Sequence, residues 1–425
     1  MDPRPAALLP DTRRAARLLG LSWAVAWVAV PISGAFVSVI VVRLTGNDSL
    51  AGVPFALLYL ASLLAGFPSG YLMDRFGRKP VLIAGHLIGG LGFAIGAVAI
   101  ILQSLWLFFI GHFIGAIGAT STYLTRLAAA DLYPASQRAR GLGRLVFYLV
   151  FGALLAVPLT LLAQRLEPVF GQSFLALAWG LAPILSIISA SLIARIQPDP
   201  KETGLLIQSL EPPPAQPVVP GLRHVPWRAI VTAGGALLFA QAAMASIMSV
   251  TGASLDHAGH NPGYISGTLT FHVVGMFAFG PFIGILGDKW GRKPLLFVSA
   301  AYLLVSNLTT ALVPDSRIHS LSLFGVGIGW SFAFLGATTI LADAARAAHR
   351  GRLLGIVDVG VAASGGAASI LAGVALHAGG IQQVAELGLL LSLGVLVAAI
   401  MAPGGRAARI PAAPPSPTPT LDVGK

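Results

Sequence analysis

Apolar stretches of about 20 residues follow one another along the whole chain, the length that a helix needs to cross a bilayer core about 30 Å thick. We predict twelve such spans, at residues 19–42, 51–72, 81–102, 105–130, 142–163, 172–195, 228–252, 263–287, 295–313, 318–342, 353–377 and 382–402. Only 10% of the 425 residues are charged, which is too little polar surface for a water-soluble protein of this size. The chain is therefore predicted to be an all-α integral membrane protein.

A polar, proline-rich segment divides these spans into two sets of six. Prolines at 212–214, 217 and 220 oppose a packed helix there, so we expect an extended linker. The predicted domains are a cytoplasmic N-terminus (1–18), a six-helix bundle (19–196), a cytoplasmic linker (197–227), a second six-helix bundle (228–403) and a disordered cytoplasmic tail (404–425). The absence of cysteine excludes a disulfide framework.

Basic residues give the predicted orientation. With the N-terminus inside, all but four of the 27 Lys and Arg residues lie in or beside cytoplasmic segments. The exceptions are Arg43, Arg165 and Arg317 outside and Arg126 in span four. By the positive-inside rule, we expect a multi-pass protein of the inner or plasma membrane with both termini cytoplasmic. The net charge of +11 lies in short loops rather than on one soluble face, so it does not indicate a nucleic-acid partner.

An internal repeat relates the two halves of the chain. Residues 66–80 recur at 280–294, a constant offset of 214. A second element, an acid followed by two spaced arginines, begins at Asp131 and again at Asp343, an offset of 212. Because each half has six spans that begin and end inside, the repeats run parallel and are related by an axis along the membrane normal.

The first of these elements resembles the signature loop of the major facilitator superfamily. In this chain the run G-x-L-x-D-R-x-G-R-K, from Gly70 to Lys79, matches that loop at every fixed position, and the second copy has Lys289 where Arg75 stands. The resemblance covers the whole chain. It implies two six-helix bundles related by a pseudo-two-fold axis and a small-molecule substrate in the lipid bilayer. A tight oligomer is not implied, so we expect a monomer.

The two signature loops are predicted to form a cytoplasmic gate. A tight turn through Gly77 or Gly291 would let the following arginine reach Asp131 or Asp343, and such an ion pair holds one packing arrangement and breaks in another. The alternative is that these charges only determine topology. The residues assigned to the gate are Gly70, Asp74, Arg75, Gly77, Arg78, Lys79 and Asp131, and Gly284, Asp288, Lys289, Gly291, Arg292, Lys293 and Asp343. The spacings Gly66/Gly70 and Gly280/Gly284 favour close helix packing.

Polar residues inside spans are the candidates for substrate or coupling contacts, because they are costly in lipid. The resemblance implies that spans one, four, seven and ten line the substrate path. In span four, His112, Tyr123 and Arg126 fall within about 60° on one helix face. Arg126 is a candidate for substrate or coupling contact, unless it extends to the cytoplasmic surface. His112 is the deeper residue, and a structural bond to a backbone carbonyl is its alternative role.

Asp358 is the one acid placed clearly within a span, which makes it the leading candidate for proton coupling. Its alternative role is an ordinary pair with a basic loop, favoured by the helix dipole. His272 in span eight is a further candidate. Gln241, Trp27 and Trp330 are candidates for the cavity wall, although aromatic residues in such helices more often pack. Asp256, His257 and His260 are interpreted as a solvated loop rather than a zinc site, and no metal is expected.

Several functional classes are excluded by the sequence. No G-x-x-x-x-G-K-[ST] run occurs, which excludes an ATP-driven pump, and the isolated candidates do not form a catalytic set, so we predict no enzyme. We predict a secondary transporter of a small solute by alternating access, without a cofactor and with coupling to a proton gradient as the hypothesis. Span five resembles the glycine-proline motif of drug and proton antiporters only in part, with Ala156 where glycine is expected. Efflux is favoured slightly over uptake by a symporter or facilitator, and a non-transporting receptor or scaffold is the remaining alternative.

Overall fold

The computed structural model describes residues 10–134, 137–210, 227–344 and 350–403. These residues are almost entirely helical. The helices are α1 (Pro10–Trp27), α2 (Ala29–Thr45), α3 (Val53–Phe76), α4 (Arg78–Ile101), α5 (Leu105–Tyr123), α6 (Thr125–Asp131), α7 (Arg138–Phe170), α8 (Phe174–Ala194), α9 (Pro200–Leu210), α10 (Trp227–His257), α11 (Pro262–Phe277), α12 (Gly280–Trp290), α13 (Arg292–Leu312), α14 (Ser316–Ala344) and α15 (Arg350–Met401), with a short 3-10 helix at Asp48–Leu50.

The helices account for the predicted spans. Eleven continuous helical segments among the described residues are long and apolar enough to cross a membrane. One of them, α15, contains two predicted spans, because Gly379 and Gly380 have non-helical backbone angles inside it. The break lies between the predicted ends at 377 and 382, so the twelve-span architecture is confirmed.

Three of these segments contain a local break of one or two residues in the regular helix. The first span consists of α1 and α2, which meet at Val28, the fourth consists of α5 and α6, which meet at Leu124, and the eighth consists of α11 and α12. Such breaks are tolerated inside a membrane where they are buried in protein or line a cavity. Two of them, those in the first and fourth spans, place Trp27, Tyr123 and Arg126 beside a break.

Close packing inside the first bundle depends on glycines other than the ones the spacing suggested. On α4 and α5, a Cβ on Gly92 would lie 2.1 Å from Gly115 N, and a Cβ on Gly118 would lie 2.2 Å from Gly89 N. By contrast, a Cβ added at Gly66, Gly70, Gly280 or Gly284 would meet nothing within 4 Å. The prediction that these four glycines are close-packing sites is therefore wrong for this conformation, because no neighbouring helix lies against those faces of α3 and α12.

The outer surface of the bundles is apolar. Large side chains such as Phe67, Trp106 and Leu312 are 83%, 76% and 70% exposed. Contiguous exposed apolar surface of this extent is incompatible with water and is what lipid-facing helices present. The protein is a multi-pass membrane protein.

The segment between the bundles differs from the prediction of a fully extended linker. Residues Pro200–Leu210 form α9. Pro200 is compatible with this helix because proline is tolerated in the first turn, where its missing N–H would have no helical partner. The proline cluster that opposes a helix begins only at 212, and residues 211–226 lie outside the described residues, as do 1–9 and 404–425.

Candidate substrate cleft and gates

The two signature loops adopt the same backbone turn. Gly77 has φ +100° and ψ +168°, and Gly291 has φ +92° and ψ +173°. This region of backbone space is essentially open only to glycine. Each glycine ends one helix and begins the next, so the repeated sequence produces a repeated structure. We call the end of the molecule that carries Gly77 and Gly291 the signature end, and the opposite end, which carries Arg43 and Asp256, the distal end.

Arg78 makes the contact that its spacing predicted. Its Nε donates to Asp131 Oδ2 at 2.8 Å and its Nη1 to Asp74 Oδ1 at 2.7 Å. The Arg78 side chain is 14% exposed, against 75% for Asp74, so the pair with Asp131 is the better protected from solvent. Pairs of this kind, in which the cation is withdrawn from water, are costly to break by removing one partner.

The corresponding pair in the second half is only partly visible. The side chains of Asp288 and Asp343 lie outside the described part of the chain, so the predicted contact of Arg292 with Asp343 stays a prediction. Arg75 lies over the ring of Phe76, with 5.3 Å from its guanidinium carbon to the ring centroid. Lys289 is exposed.

A lysine ties each signature loop to the last helix of its own bundle. Lys79 Nζ donates to Ile196 O at 3.0 Å. In the second half Lys293 Nζ donates to Ile400 O at 3.0 Å and to Ala402 O at 2.8 Å. Cations stabilise the exposed carbonyls at a helix C-terminus, so both lysines cap the end of a spanning helix.

The first signature loop has a further partner that the sequence did not indicate. Asp199, just before α9, accepts hydrogen bonds from the backbone N–H groups of Arg78 at 3.0 Å and Lys79 at 2.9 Å, and from that of Lys201 at 2.8 Å. One carboxylate thus caps the N-termini of α4 and α9 together. The same helix approaches Asp131, because a Cβ on Gly204 would lie 2.9 Å from Asp131 Cβ.

At the distal end, an ion pair and a histidine–carboxylate contact join the two bundles. Arg43 of α2 donates to both carboxylate oxygens of Asp256 in α10, at 3.1 and 2.6 Å. The next residue, His257, has its Nε2 3.5 Å from Asp48 Oδ1. The sequence analysis placed Asp256 and His257 in a solvated loop, whereas the structure gives each a partner in the other bundle. His260 stacks on Tyr264, with 4.2 Å between ring centroids.

Backbone contacts between the bundles, beneath the Arg43–Asp256 and His257–Asp48 contacts, close the distal end. A Cβ on Gly52 would lie 1.7 Å from Ser369 O, and one on Gly252 would lie 1.9 Å from Ala35 O. Ser38 Oγ accepts a hydrogen bond from Ala253 N at 3.2 Å. We call this set of contacts between the bundles, together with the Arg43–Asp256 pair, the distal seal.

Between the distal end and the signature end, a buried amide links the bundles. Gln241 of α10 donates through Nε2 to Tyr59 Oη at 2.7 Å and accepts at Oε1 from the indole Nε1 of Trp330 at 2.9 Å. Tyr59 belongs to the first bundle, and Gln241 and Trp330 to the second. Both ends of the amide are satisfied, which fixes its orientation.

Aromatic rings from both bundles adjoin this link. Trp330 lies 6.3 Å from Phe277 and stacks on Phe334 at 4.9 Å. Phe277 in turn lies 5.9 Å from Trp27 of the first bundle, which stacks on Tyr123 at 6.3 Å. These rings are half-buried. Because Trp27 and Phe277 contact each other across the bundles, this group of rings lies at the junction between the bundles, which we call the cleft.

Charged groups lie on the signature side of the cleft. The guanidinium of Arg126 lies 4.5 Å above the Tyr123 ring, within the range of a cation–π contact. Asp358 of α15 is within electrostatic reach of Arg126. These two candidates, one from each bundle, are therefore brought together, as are Tyr123, Trp27, Gln241 and Trp330.

Two histidine candidates are not part of this group. His112 Nε2 lies 3.0 Å from Pro54 O, and His272 Nδ1 lies 2.7 Å from Leu323 O. Both are buried, and each is oriented by a backbone carbonyl of its own bundle. His112 also lines a cavity of about 110 Å³ inside the first bundle. His112 is 14 residues from Arg126, about 21 Å along the helix axis, so a shared helix face does not bring the two side chains together.

Several contributors were missed by the sequence analysis. Tyr59, Phe277 and Phe334 carry no local signal that separates them from packing residues. Asp199 did carry one, because an acid directly before a proline at the start of a polar helix is typical of an N-cap. No group of three or more potential metal ligands occurs among the described residues.

Comparison with known proteins agrees with the fold and the motifs. The profile of the Major Facilitator Superfamily matches residues 16–268 and 236–423. The MFS-type transporter YdeG of Bacillus subtilis is 29% identical over 357 residues, 83% of each chain. The riboflavin transporter RfnT of Brucella anthropi is 26% identical over 350 residues, 80% of this chain and 84% of RfnT.

Among solved structures, a bacterial homologue of the human lysosomal transporter Spinster superposes with a TM-score of 0.69 at 13% identity, covering 92% of this chain and 96% of its own. This likeness concerns the fold alone. The profile match extends over both halves, each of which carries its copy of the signature loop. The chain therefore belongs to the Major Facilitator Superfamily of membrane transporters.

Proposed function

We propose that this protein is a proton-coupled secondary transporter that moves a small organic solute across the inner or plasma membrane by alternating access. One observation carries the proposal: the bundles are sealed together at the distal end, while Arg126 and Asp358, one from each bundle, lie within electrostatic reach of each other on the signature side. Transport by two rocking bundles needs a site between them that is closed on one side at a time.

The orientation follows from the distribution of basic residues. If the signature end is cytoplasmic, as the positive-inside rule predicts, the distal seal closes the outer side of the cleft. The conformation is then one that admits solute from the cytoplasm. The Arg78 pair with Asp131 and the Asp199 cap stabilise the signature end of the first bundle, which supports rigid-body movement of that bundle.

The coupling group that we propose is Asp358. A cation near an acid stabilises the charged form of that acid, and a competing anion or a proton changes the balance between them. Because Arg126 and Asp358 belong to different bundles, their attraction depends on the separation of the bundles. Protonation of Asp358 would weaken this attraction and so favour a different arrangement of the bundles.

The direction that we propose is export in exchange for protons. The support is the partial resemblance of Gly152, Ala156 and Pro158 in span five to the motif of proton antiporters. Uptake is the second candidate, because a relative that covers most of this chain is a riboflavin transporter. Riboflavin is therefore a first solute to test.

Alternating access is tested at the distal seal. The chain contains no natural cysteine, so Ser38→Cys gives a single thiol at a position that is fully buried in the seal. We expect Arg43→Asp to open the seal and raise labelling of this cysteine by an impermeant maleimide about tenfold. Arg317→Asp, which makes the same charge change at the same end without touching the seal, should leave labelling unchanged. Equal labelling in all three proteins would contradict a distal gate.

Coupling and direction are tested in proteoliposomes. For exchange, an acidic interior should drive riboflavin accumulation, and Asp358→Asn should reduce transport to equilibration without accumulation. Accumulation driven by an acidic exterior would establish symport and overturn the proposed export. Accumulation by Asp358→Asn equal to that of the unmodified protein would show that Asp358 is not the coupling group.

A further inference from the structure

The aromatic rings of the cleft form a continuous path. Tyr123, Trp27, Phe277, Trp330 and Phe334 contact one another in that order, with centroid separations of 6.3, 5.9, 6.3 and 4.9 Å. The first and last pairs are stacked, at interplanar angles of 29° and 11°, whereas Phe277 meets Trp27 and Trp330 edge-on at 79° and 75°. One stacked pair thus belongs to each bundle, with Phe277 between them.

The position of these rings separates them from ordinary lipid-facing aromatics. Trp106, at the distal end of α5, is 76% exposed and contacts a ring of its own helix, Phe109. Trp27 and Trp330 are only partly exposed, and each contacts Phe277. Both rings therefore lie at the junction of the two bundles, where a flat solute that enters between the bundles can stack on their exposed parts with an attraction beyond that of buried area alone.

Hydrogen-bonding capacity in the same place is small. The amide of Gln241 is already engaged at both ends, by Tyr59 and Trp330. The hydroxyls of Ser246, Ser249 and Thr251 on α10 are fully buried and donate to carbonyls of their own helix, so they are not available to a solute. A polyhydroxylated solute such as a sugar needs many polar partners, because each unpaired buried hydroxyl is costly. The described cleft surface fits a flat aromatic solute better.

A cation lies at one end of the aromatic path. The Arg126 guanidinium covers the outer face of Tyr123 and forms no ion pair within 4.0 Å among the described residues. Asp358 is the acid within its electrostatic reach, across the cleft. An arginine that is partly withdrawn from water and lacks a bound carboxylate is suited to receive an anionic group.

We propose that the cleft binds a planar aromatic solute that carries an anionic group, with its ring against Trp27 and Trp330 and its anion at Arg126. This inference rests on the proposed transport function and names its substrate class. The Tyr59–Gln241–Trp330 link holds the Trp330 ring in the orientation that receives the solute. Arg126 selects the charge, and the two tryptophans select the flat shape.

Binding of four probes to the full-length protein in nanodiscs tests the class. The probes are 2-naphthoate, cyclohexanecarboxylate, 2-naphthylmethylammonium and D-xylose, with empty nanodiscs as the control for partitioning into lipid. We expect 2-naphthoate to bind at least about tenfold more tightly than each of the others, since one good contact is worth about a factor of ten. Equal affinity of 2-naphthoate and cyclohexanecarboxylate would overturn the aromatic requirement.

Matched variants locate the site. Trp27→Leu and Trp330→Leu should each weaken 2-naphthoate binding about tenfold, whereas Trp106→Leu should leave it unchanged. Arg126→Gln should remove the preference for 2-naphthoate over its cationic counterpart, and Arg126→Lys should retain part of it. Unchanged affinity in both tryptophan variants would overturn the proposed site, and an unchanged charge preference in Arg126→Gln would overturn the role of that residue.

The outcomes also separate this inference from the function on which it rests. If 2-naphthoate binds as expected but neither exchanges nor accumulates in proteoliposomes, the aromatic site stands and transport is contradicted. If no probe binds while Arg43→Asp still exposes Ser38→Cys, alternating access stands and the aromatic class is overturned.

Discussion

At the first signature loop Gly77 turns the chain with φ +100°, and at the second Gly291 does so with φ +92°. In both copies a lysine two residues later reaches carbonyls at the end of the last helix of its bundle. Only the first copy has Asp199 and α9 packed against it among the described residues. The repeated residues therefore encode the same glycine turn and the same lysine–carbonyl contact in both loops. The Asp199 cap, which only the first loop has among the described residues, comes from a segment outside the repeat.

The largest expected difference between the two signature loops is at their glycines, Gly77 and Gly291. Gly77→Ala and Gly291→Ala should each destabilise the protein by about 1–3 kcal/mol, because a side chain is placed in a backbone region that favours glycine. The loss should be larger at Gly77 by about 1 kcal/mol, the value of a typical N-cap, because the new Cβ would lie 2.7 Å from Asp199 Oδ2. The measurement is the unfolding midpoint of the purified protein.

Gly180→Ala is the matched control for this experiment. A Cβ there meets nothing within 4 Å, and Gly180 lies inside the helix α8, so its stability should be unchanged or slightly higher. Equal losses at Gly77 and Gly291 would show that Asp199 does not distinguish the two loops. In an Asp199→Ala background the excess loss at Gly77 should disappear, since the two sites are in contact.

The second test removes the Asp199 cap of the first signature loop directly. Asp199→Ala leaves the N–H groups of Arg78, Lys79 and Lys201 without their acceptor, and we expect a loss of about 1–2 kcal/mol. Trypsin should also cleave after Lys201 faster, because α9 is released from the loop. Limited proteolysis and thermal unfolding measure the two effects.

Asp315→Ala is the control for a cap that serves one helix only. Asp315 accepts from the backbone N–H groups of Arg317 and Ile318 at the start of α14. Its loss should lower stability without changing cleavage at Lys201. Cleavage of Asp199→Ala at the unmodified rate would show that α9 is held mainly by other contacts, such as that of Gly204 with Asp131.

The smallest expected effect concerns the hydrogen bonds from Lys79 and Lys293 to helix-end carbonyls, which both loops have. Lys79→Met and Lys293→Met each remove a charged donor to helix-end carbonyls while keeping most of the apolar stem. Each should cost about 0.3–1 kcal/mol, and the two losses should be similar. A loss at Lys79 several times that at Lys293 would mean that the two signature loops also differ in the strength of their lysine–carbonyl contacts. Unfolding midpoints of the two variants decide this.

Much of the fold was accessible from the sequence because its signals are local. Runs of apolar residues predicted the spans, and the repeated loop predicted both glycine turns and the contact of Arg78 with Asp131. The interpretation of Gly66 and Gly70 as packing sites was wrong because spacing does not say which helix face has a neighbour. The extended linker was wrong for α9 because the prolines that oppose a helix begin only at 212.

The candidate site was less accessible because its members come together across the bundles. Gln241 and Trp330 were predicted singly, but Tyr59, which joins them, is 182 residues from Gln241. His112 was grouped with Arg126 on one helix face, but the two residues lie about 21 Å apart along the axis, and His112 is oriented by the Pro54 carbonyl of its own bundle. Phe277 and Phe334 carry the same residue type as many lipid-facing side chains in this protein.

The sequence by itself determined the membrane solvent, the number of spans, the duplication and the backbone of the two signature loops. Each of these depends on composition, on period or on the conformational range of a single residue, and so is readable without knowing what lies nearby. The tertiary structure alone decided that Asp199 caps α4, that Arg43 meets Asp256, and that five aromatic rings join across the cleft. Those contacts depend on the packing of helices distant in sequence, because each partner is selected by its position in space.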